Sequence, residues 1–102
     1  MMELKNFNQR CYELLKKVPR GKVTTYKALA HALHTRAYRA VGNAMNKNPY
    51  APFVPCHRVI NSDGRLGGFA TGLSKKILLL KKEGVAIKNN VIDLKRFGYD
   101  FN

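Results

Sequence analysis

Three prolines at every third position, Pro49, Pro52 and Pro55, constrain this chain more than any other feature. Proline has no backbone N–H and its ring holds φ at about −65°, so a segment this rich in it cannot be helix. Asn48-Pro49-Tyr50-Ala51-Pro52-Phe53-Val54-Pro55 therefore reads as a stiff connector with little conformational entropy to lose. Phe53 and Val54 are expected to anchor it to the core. It delivers the chain to Cys56.

Helical signals lie before the connector. Phe7, Cys11, Leu14, Leu15 and Val18 fall on one helical face, and Pro19 and Gly21 stop that helix. Cys11 sits on the apolar stripe, which makes it a buried core thiol. Thr24 or Thr25 can cap a short helix running to about Leu33. After a turn at His34 and Thr35, a second helix spans about Arg36 to Met45, with Val41 and Met45 facing inward. Ala40, Gly42 and Ala44 keep it slim enough to lie close to a partner surface. Two short helices with a tight turn suggest a helix-turn-helix. An ordinary helical hairpin in a core is the simpler alternative.

Beyond the connector, residues 59–66 read as a hairpin with its turn at Ser62-Asp63-Gly64. Beside a helix-turn-helix that hairpin would be a wing. Gly67 to Gly72 form a flexible loop. Ser74 can cap a third helix from Lys75 to Glu83, ended by Gly84, with Ile77, Leu78 and Leu80 as its core residues. A turn at Asn89-Asn90 allows a second small hairpin, which Phe97, Tyr99 and Phe101 would pack down. The expected class is α+β, mostly helical, as a winged helix-turn-helix with a small β-hairpin wing.

The chain's 102 residues suit a single domain over 1–102 with one modest core. No apolar run is long enough to span a membrane, and no secretory signal is present, so a cytoplasmic protein without a membrane partner is expected. Nineteen Lys and Arg against six Asp and Glu leave a formal charge of +13. A small domain this basic repels itself, and a polyanion such as nucleic acid is its natural partner. The two cysteines, Cys11 and Cys56, lack the paired spacings of a zinc site, so no metal is expected.

Pro55-Cys56-His57-Arg58-Val59 carries the densest chemistry. A free thiol has a pKa of about 8.5, and only the thiolate is a strong nucleophile. His57 and Arg58 both favour the charged form. In extended chain, neighbouring side chains point to opposite faces, so either a turn brings Cys56 and His57 together or a water bridges them. On these five residues alone, a buried structural cysteine beside surface His and Arg accounts for the pattern equally well. Glu83 stands in the last turn of its helix, where a negative charge opposes the macrodipole. Holding a histidine in a Cys-His-Glu relay would explain it. An exposed Glu beside Lys81 and Lys82 is the plainer account.

Taken together, these segments resemble the DNA-binding and active-site domain of the O6-alkylguanine-DNA alkyltransferases. The resemblance rests on Gly21-x-Val23-x-x-Tyr26, Arg39-Ala40-Val41-Gly42-x-Ala44-Met45, Asn48-Pro49 and Pro55-Cys56-His57-Arg58-Val59. Gly67-x-Phe69-x-x-Gly72-Leu73 and Leu79-Leu80-x-x-Glu83-Gly84 complete it. Order and spacing fit from about Phe7 to Gly84.

The resemblance implies a winged helix-turn-helix on the minor groove of double-stranded DNA containing O6-alkylguanine, acting as a monomer without a cofactor. The damaged nucleotide would be flipped out of the stack. Arg39 would fill the gap and Tyr26 would press on the neighbouring phosphate. Cys56 would accept the alkyl group once and irreversibly, His57 would take its proton through a water, and Glu83 would orient His57. The carbonyls of Cys56 and Val59 would receive the guanine amine, the Phe69 ring would pack on the base, and the Ala70 amide would bond O6. Asn48 would brace the connector, with Arg58 as further structural support. The chain departs from the family at Phe69, where many members carry a tyrosine whose hydroxyl phenylalanine lacks. Many members also have an additional N-terminal domain, zinc-binding in some; here the chain starts at the DNA-binding part. A rival reading is an alkyltransferase-like protein, which binds alkylguanine and flags it without an acceptor cysteine. A winged-helix regulator or a cysteine hydrolase fits the residues less well.

Overall fold

A computed structural model of the chain describes residues 6–69 and 72–101. In chain order these are helix α1 (Phe7–Leu15), strand β1 (Thr24–Thr25), helices α2 (Tyr26–Ala32) and α3 (Tyr38–Asn46), a single 3₁₀ turn (Cys56–Arg58), strand β2 (Val59–Ile60), and helices α4 (Leu73–Lys82) and α5 (Leu94–Phe97). The fold is a mixture of helices with one small parallel two-stranded sheet.

Local chemistry explains the helix starts. Asn6 and Gln9 exchange side-chain and backbone hydrogen bonds at 2.9 and 3.0 Å, a capping box that opens α1. Thr25 caps α2 by accepting from the Ala28 N–H at 2.9 Å. His34 takes φ of 59° to turn the chain towards α3. The Tyr12 hydroxyl, buried between α1 and α3, donates to the Ala44 carbonyl at 2.8 Å. Ala44 is thus core, and the small residues of α3 do not share one outer face.

Two clusters of buried side chains make the core. One joins α1, α2 and α3 to Val54, Cys56 and Val59. The other gathers Val23, Ile60, Leu66, Leu80, Val85, Ile92 and Phe97. The segment from Cys56 to Ile60 runs between them, so the residues around the thiol are held from both sides.

Several expectations change. The segment 59–66 is not a hairpin ladder. Val59 and Ile60 pair in parallel with Thr24 and Thr25, and both are fully buried. A parallel partner needs a long crossover, which α2, α3 and the connector supply. The turn does form, closed by the Gly64 N–H on the Asn61 carbonyl at 3.0 Å, but Arg65 then bridges to Val91. Helix α4 starts at Leu73 with Gly72 before it and no side-chain cap, so Ser74 lies inside the first turn. Leu78 points to solvent at 54% exposure. Phe53 is 86% exposed while Val54 is buried, because residues 50–54 form a turn, closed by the Val54 N–H on the Tyr50 carbonyl at 3.1 Å, that carries Phe53 on its outer side. The tail turn at Asn89-Asn90 forms, with φ of 54° and 60° and two 3.0 Å bonds between Lys88 and Val91. Helix α5 had no counterpart in the sequence reading.

Candidate active site

Cys56 and His57 stand together on the 3₁₀ turn. The rigid connector ends at Pro55, whose carbonyl accepts from the Arg58 N–H at 2.9 Å, and the chain tightens around Cys56–Arg58. Asn48 ties the start of the connector to its end. Its side-chain amide donates to the Val54 carbonyl at 2.8 Å, and its oxygen accepts from the Tyr50 N–H at 2.9 Å.

Behind the turn lies an ion-pair group. His57 Nε2 is 3.0 Å from Glu83 Oε2. Arg58 Nε donates to Glu83 Oε1 at 2.9 Å and Arg58 Nη2 to Oε2 at 2.6 Å, a two-pronged grip on the carboxylate. Arg58 Nη1 donates to the Val18 carbonyl at 2.8 Å, which ties the group to the end of the α1 region. Burial alone would raise the Glu83 pKa, but the hydrogen bonds from Arg58 and His57 outweigh it and hold the carboxyl below its usual range. Burial lowers the pKa of His57, and Glu83 offsets this only in part. His57 is therefore neutral at pH 7. The carboxylate can only accept, so Nε2 carries the proton and Nδ1 is left as an acceptor.

Cys56 faces a cavity of about 240 Å³ lined by Met45, Asn46, Asn48, Ala51, Pro52, Cys56, His57, Phe69, Lys75 and Leu79. The structure thus brings Cys56, His57, Asn48 and Phe69 together, with Glu83 and Arg58 behind them. Val59 is buried beneath the site and is not among the cavity's lining residues. Tyr26 borders a separate groove with Lys27, Tyr38, Asn61, Ser62 and Asp63. Burial, and to a lesser extent the nearness of Cys56, hold its phenol above the ordinary value. Arg39 is exposed on α3. Ala70 lies outside the described residues.

Lys76 belongs to the site's framework and went unnoticed in the sequence. It is completely buried, and its ammonium donates to the carbonyls of Val59 at 2.7 Å, Leu66 at 2.6 Å and Gly68 at 3.2 Å. Three N–H groups meet three acceptors, which offsets the cost of taking a cation out of water. Burial still brings its pKa down to about 8, with a charge on Cys56 acting the other way. The clue was available: Lys76 stands four residues before Leu80, on the same helical face. Among the described residues no group of three or more His, Cys, Asp or Glu could hold a metal ion. No helix among them is long and apolar enough to cross a membrane.

Residues 6–85 match the family described as 6-O-methylguanine DNA methyltransferase, DNA binding domain. A methylated-DNA--protein-cysteine methyltransferase of Methanosarcina barkeri is 49% identical over 79 residues, covering 76% of this chain and 50% of its own length. The crystal structure of the O6-methylguanine-DNA methyltransferase of Pyrococcus kodakaraensis KOD1 superposes with a TM-score of 0.73 at 49% identity, over 80% of this chain and 48% of that one. The S. pombe Atl1 structure, in complex with damaged DNA containing O6-carboxymethylguanine, gives a TM-score of 0.84 at 29% identity, over 97% of this chain and 99% of that one. The chain spans about half the length of that Methanosarcina relative.

Proposed function

Because this chain belongs to the 6-O-methylguanine DNA methyltransferase family, we propose that it repairs duplex DNA by moving an alkyl group from O6 of guanine onto Cys56. The observation that carries this is the cavity in which Cys56 and His57 face the same space while Glu83 grips the far side of the imidazole.

The chemistry follows from that arrangement. His57 keeps its Nε2 proton on Glu83 and offers Nδ1 as base, taking the Cys56 proton by way of a water. The thiolate attacks the alkyl carbon, the carbon–O6 bond breaks, and guanine leaves protonated. The thioether is stable, so each molecule acts once. Arg58 holds Glu83 so that the carboxylate cannot swing away from His57. Lys76 already occupies the Val59 carbonyl, so a guanine amine bonding there would share that oxygen through its second lone pair. Phe69 lines the cavity and stacks on the base, while the amide of Ala70 bonds O6.

In this reading α2 and α3 form the helix-turn-helix on DNA, and the turn after β2 serves as the wing. A base inside the stack is out of reach of Cys56, so the nucleotide must be flipped. Arg39, exposed on α3, fills the gap, and Tyr26 presses on the adjacent phosphate. The charge of +13 supplies the sequence-independent affinity.

A second reading is favoured by one observation. The match to Atl1 extends over nearly the whole of both chains. A damage-flagging protein of that shape would bind the lesion and leave it intact. Intact-protein mass after incubation with a duplex holding one O6-methylguanine separates the two. Gain of one methyl group, about fourteen mass units, that disappears in Cys56→Ala establishes stoichiometric transfer. Tight lesion binding with no gain in mass establishes the second reading.

A further inference from the structure

Tyr12 joins three parts of the molecule that alkyl transfer needs in register, although it takes part in no step of that reaction. The last carbonyls of a helix have no partner within it. At the end of α3 the Lys47 N–H goes to the Asn43 carbonyl at 3.0 Å and the Asn48 N–H to the Met45 carbonyl at 3.3 Å. The Ala44 carbonyl between them accepts instead from the Tyr12 hydroxyl at 2.8 Å, which arrives from α1, 32 residues away. Ala44 is fully buried, so loss of that hydroxyl leaves its carbonyl without a partner and away from water. The Tyr12 ring, itself buried, meets the Tyr50 ring edge-on, with centroids 5.9 Å apart and planes at 78°. Tyr50 belongs to the connector. Its N–H goes to the Asn48 side chain, whose amide donates to the Val54 carbonyl, and the Cys56 N–H goes to that same carbonyl at 2.8 Å. One side chain of α1 thus holds the end of α3 with its hydroxyl and the start of the path to Cys56 with its ring.

We propose that Tyr12 is a positioning residue that keeps the DNA-docking helix α3 in register with the nucleophile Cys56. The inference rests on the alkyl-transfer reading above. In that reading α3 fixes where the flipped base arrives, and the connector fixes where the sulfur stands. These are separate segments, and a shift of about 1 Å between them can cost about a hundredfold in rate while DNA binding is kept. An aromatic that only filled the core would serve as well without its oxygen. Tyr12→Phe isolates this point, because it keeps the ring against Tyr50 and removes the bond to α3.

The test compares two reactions of Cys56 in the wild-type chain, Tyr12→Phe and Tyr50→Leu. One is single-turnover transfer from a duplex holding one O6-methylguanine, followed as a function of protein concentration. The other is alkylation of Cys56 by iodoacetamide, which needs the thiol and its base but no docked helix. The expected result in Tyr12→Phe is a fall of about tenfold in the maximal transfer rate, with the half-saturating concentration and the iodoacetamide rate kept within about twofold. Equal falls in both reactions would mean that Tyr12 only supports the fold around the thiol, and overturn the proposal. A higher half-saturating concentration with the maximal rate kept would assign Tyr12 to docking alone, which overturns it as well, as does no change in either reaction. Tyr50→Leu keeps the bond to Ala44 and should show a smaller fall of the same kind. If Tyr12→Phe does not fold, an unchanged transfer rate in Tyr50→Leu overturns the proposal. A wild-type chain that reacts with iodoacetamide but takes no methyl group from the duplex overturns the alkyl-transfer reading, and the register with it.

Discussion

Cys11 and Cys56 are both buried, at 0% and 8% exposure, yet their surroundings differ, and the proposed function gives them opposite roles. Cys11 points into the side chains of α1, α2 and α3, and burial pushes its thiol up to about 11. Cys56 belongs to the same core cluster but opens on a cavity shared with His57. Burial therefore does not separate the core thiol from the proposed nucleophile. What distinguishes them is whether the far side of the sulfur meets apolar atoms or a base and a space for substrate.

The largest expected effect breaks this contrast directly. Cys56→Ala should abolish the mass gain from O6-methylguanine DNA, whereas Cys11→Ala should keep it. Cys11→Ala should instead lower stability by about 1–2 kcal/mol through lost core packing, read by denaturant unfolding. Transfer that survives in Cys56→Ala and vanishes in Cys11→Ala would reverse the assignment.

The next effect sharpens the comparison by testing what stands behind Cys56. Arg58 and Glu83 are 15% and 9% exposed, while the Arg65–Asp63 pair at 3.7 Å is 76% and 59% exposed. Removing one member of a buried pair leaves the other uncompensated, so Arg58→Ala should cost about 3 kcal/mol. Asp63→Ala should cost less than about 1 kcal/mol through its ion pair. Equal losses in thermal unfolding would mean that the Glu83 group is no more than a surface pair.

The smallest effect is in pH. His57 has its pKa lowered by burial, so the unfolded chain takes up that proton first as pH falls through its ordinary value of 6.5. The unfolded state then binds more protons, and stability falls with pH from there until the folded value is passed. Glu83, also lowered, contributes stability that is present above its ordinary value of 4.5 and lost as pH drops through the folded value. Unfolding free energy should therefore decline from pH 7 to pH 4, and Glu83→Gln should flatten the lower part of that decline. An identical slope in Glu83→Gln would place the acid sensitivity elsewhere.

Legibility in the sequence tracked how local each cause was. The Thr25 cap, the inward Val41 and Met45, the turns at His34 and Asn89-Asn90, and the buried Cys11 each depend on a few neighbouring residues, and each reads correctly. The Cys56–His57 element was visible, and the structure adds that both residues stand on one 3₁₀ turn and line one cavity. Phe53 and Leu78 were misread because hydrophobicity alone does not say which side of a connector or helix the core lies on.

By itself the sequence determined the stiff connector, the helices on either side of it, and the family, because proline geometry, periodicity and the motif around Cys56 need no distant partner. Only the tertiary structure decided that β2 lies parallel to β1, that Lys76 is sunk among three carbonyls, and that Glu83 meets His57 and Arg58 across 26 and 25 residues. Those arrangements depend on which backbone edge or charge arrives from far along the chain. A buried cation or carboxylate is tolerable only once that partner is in place.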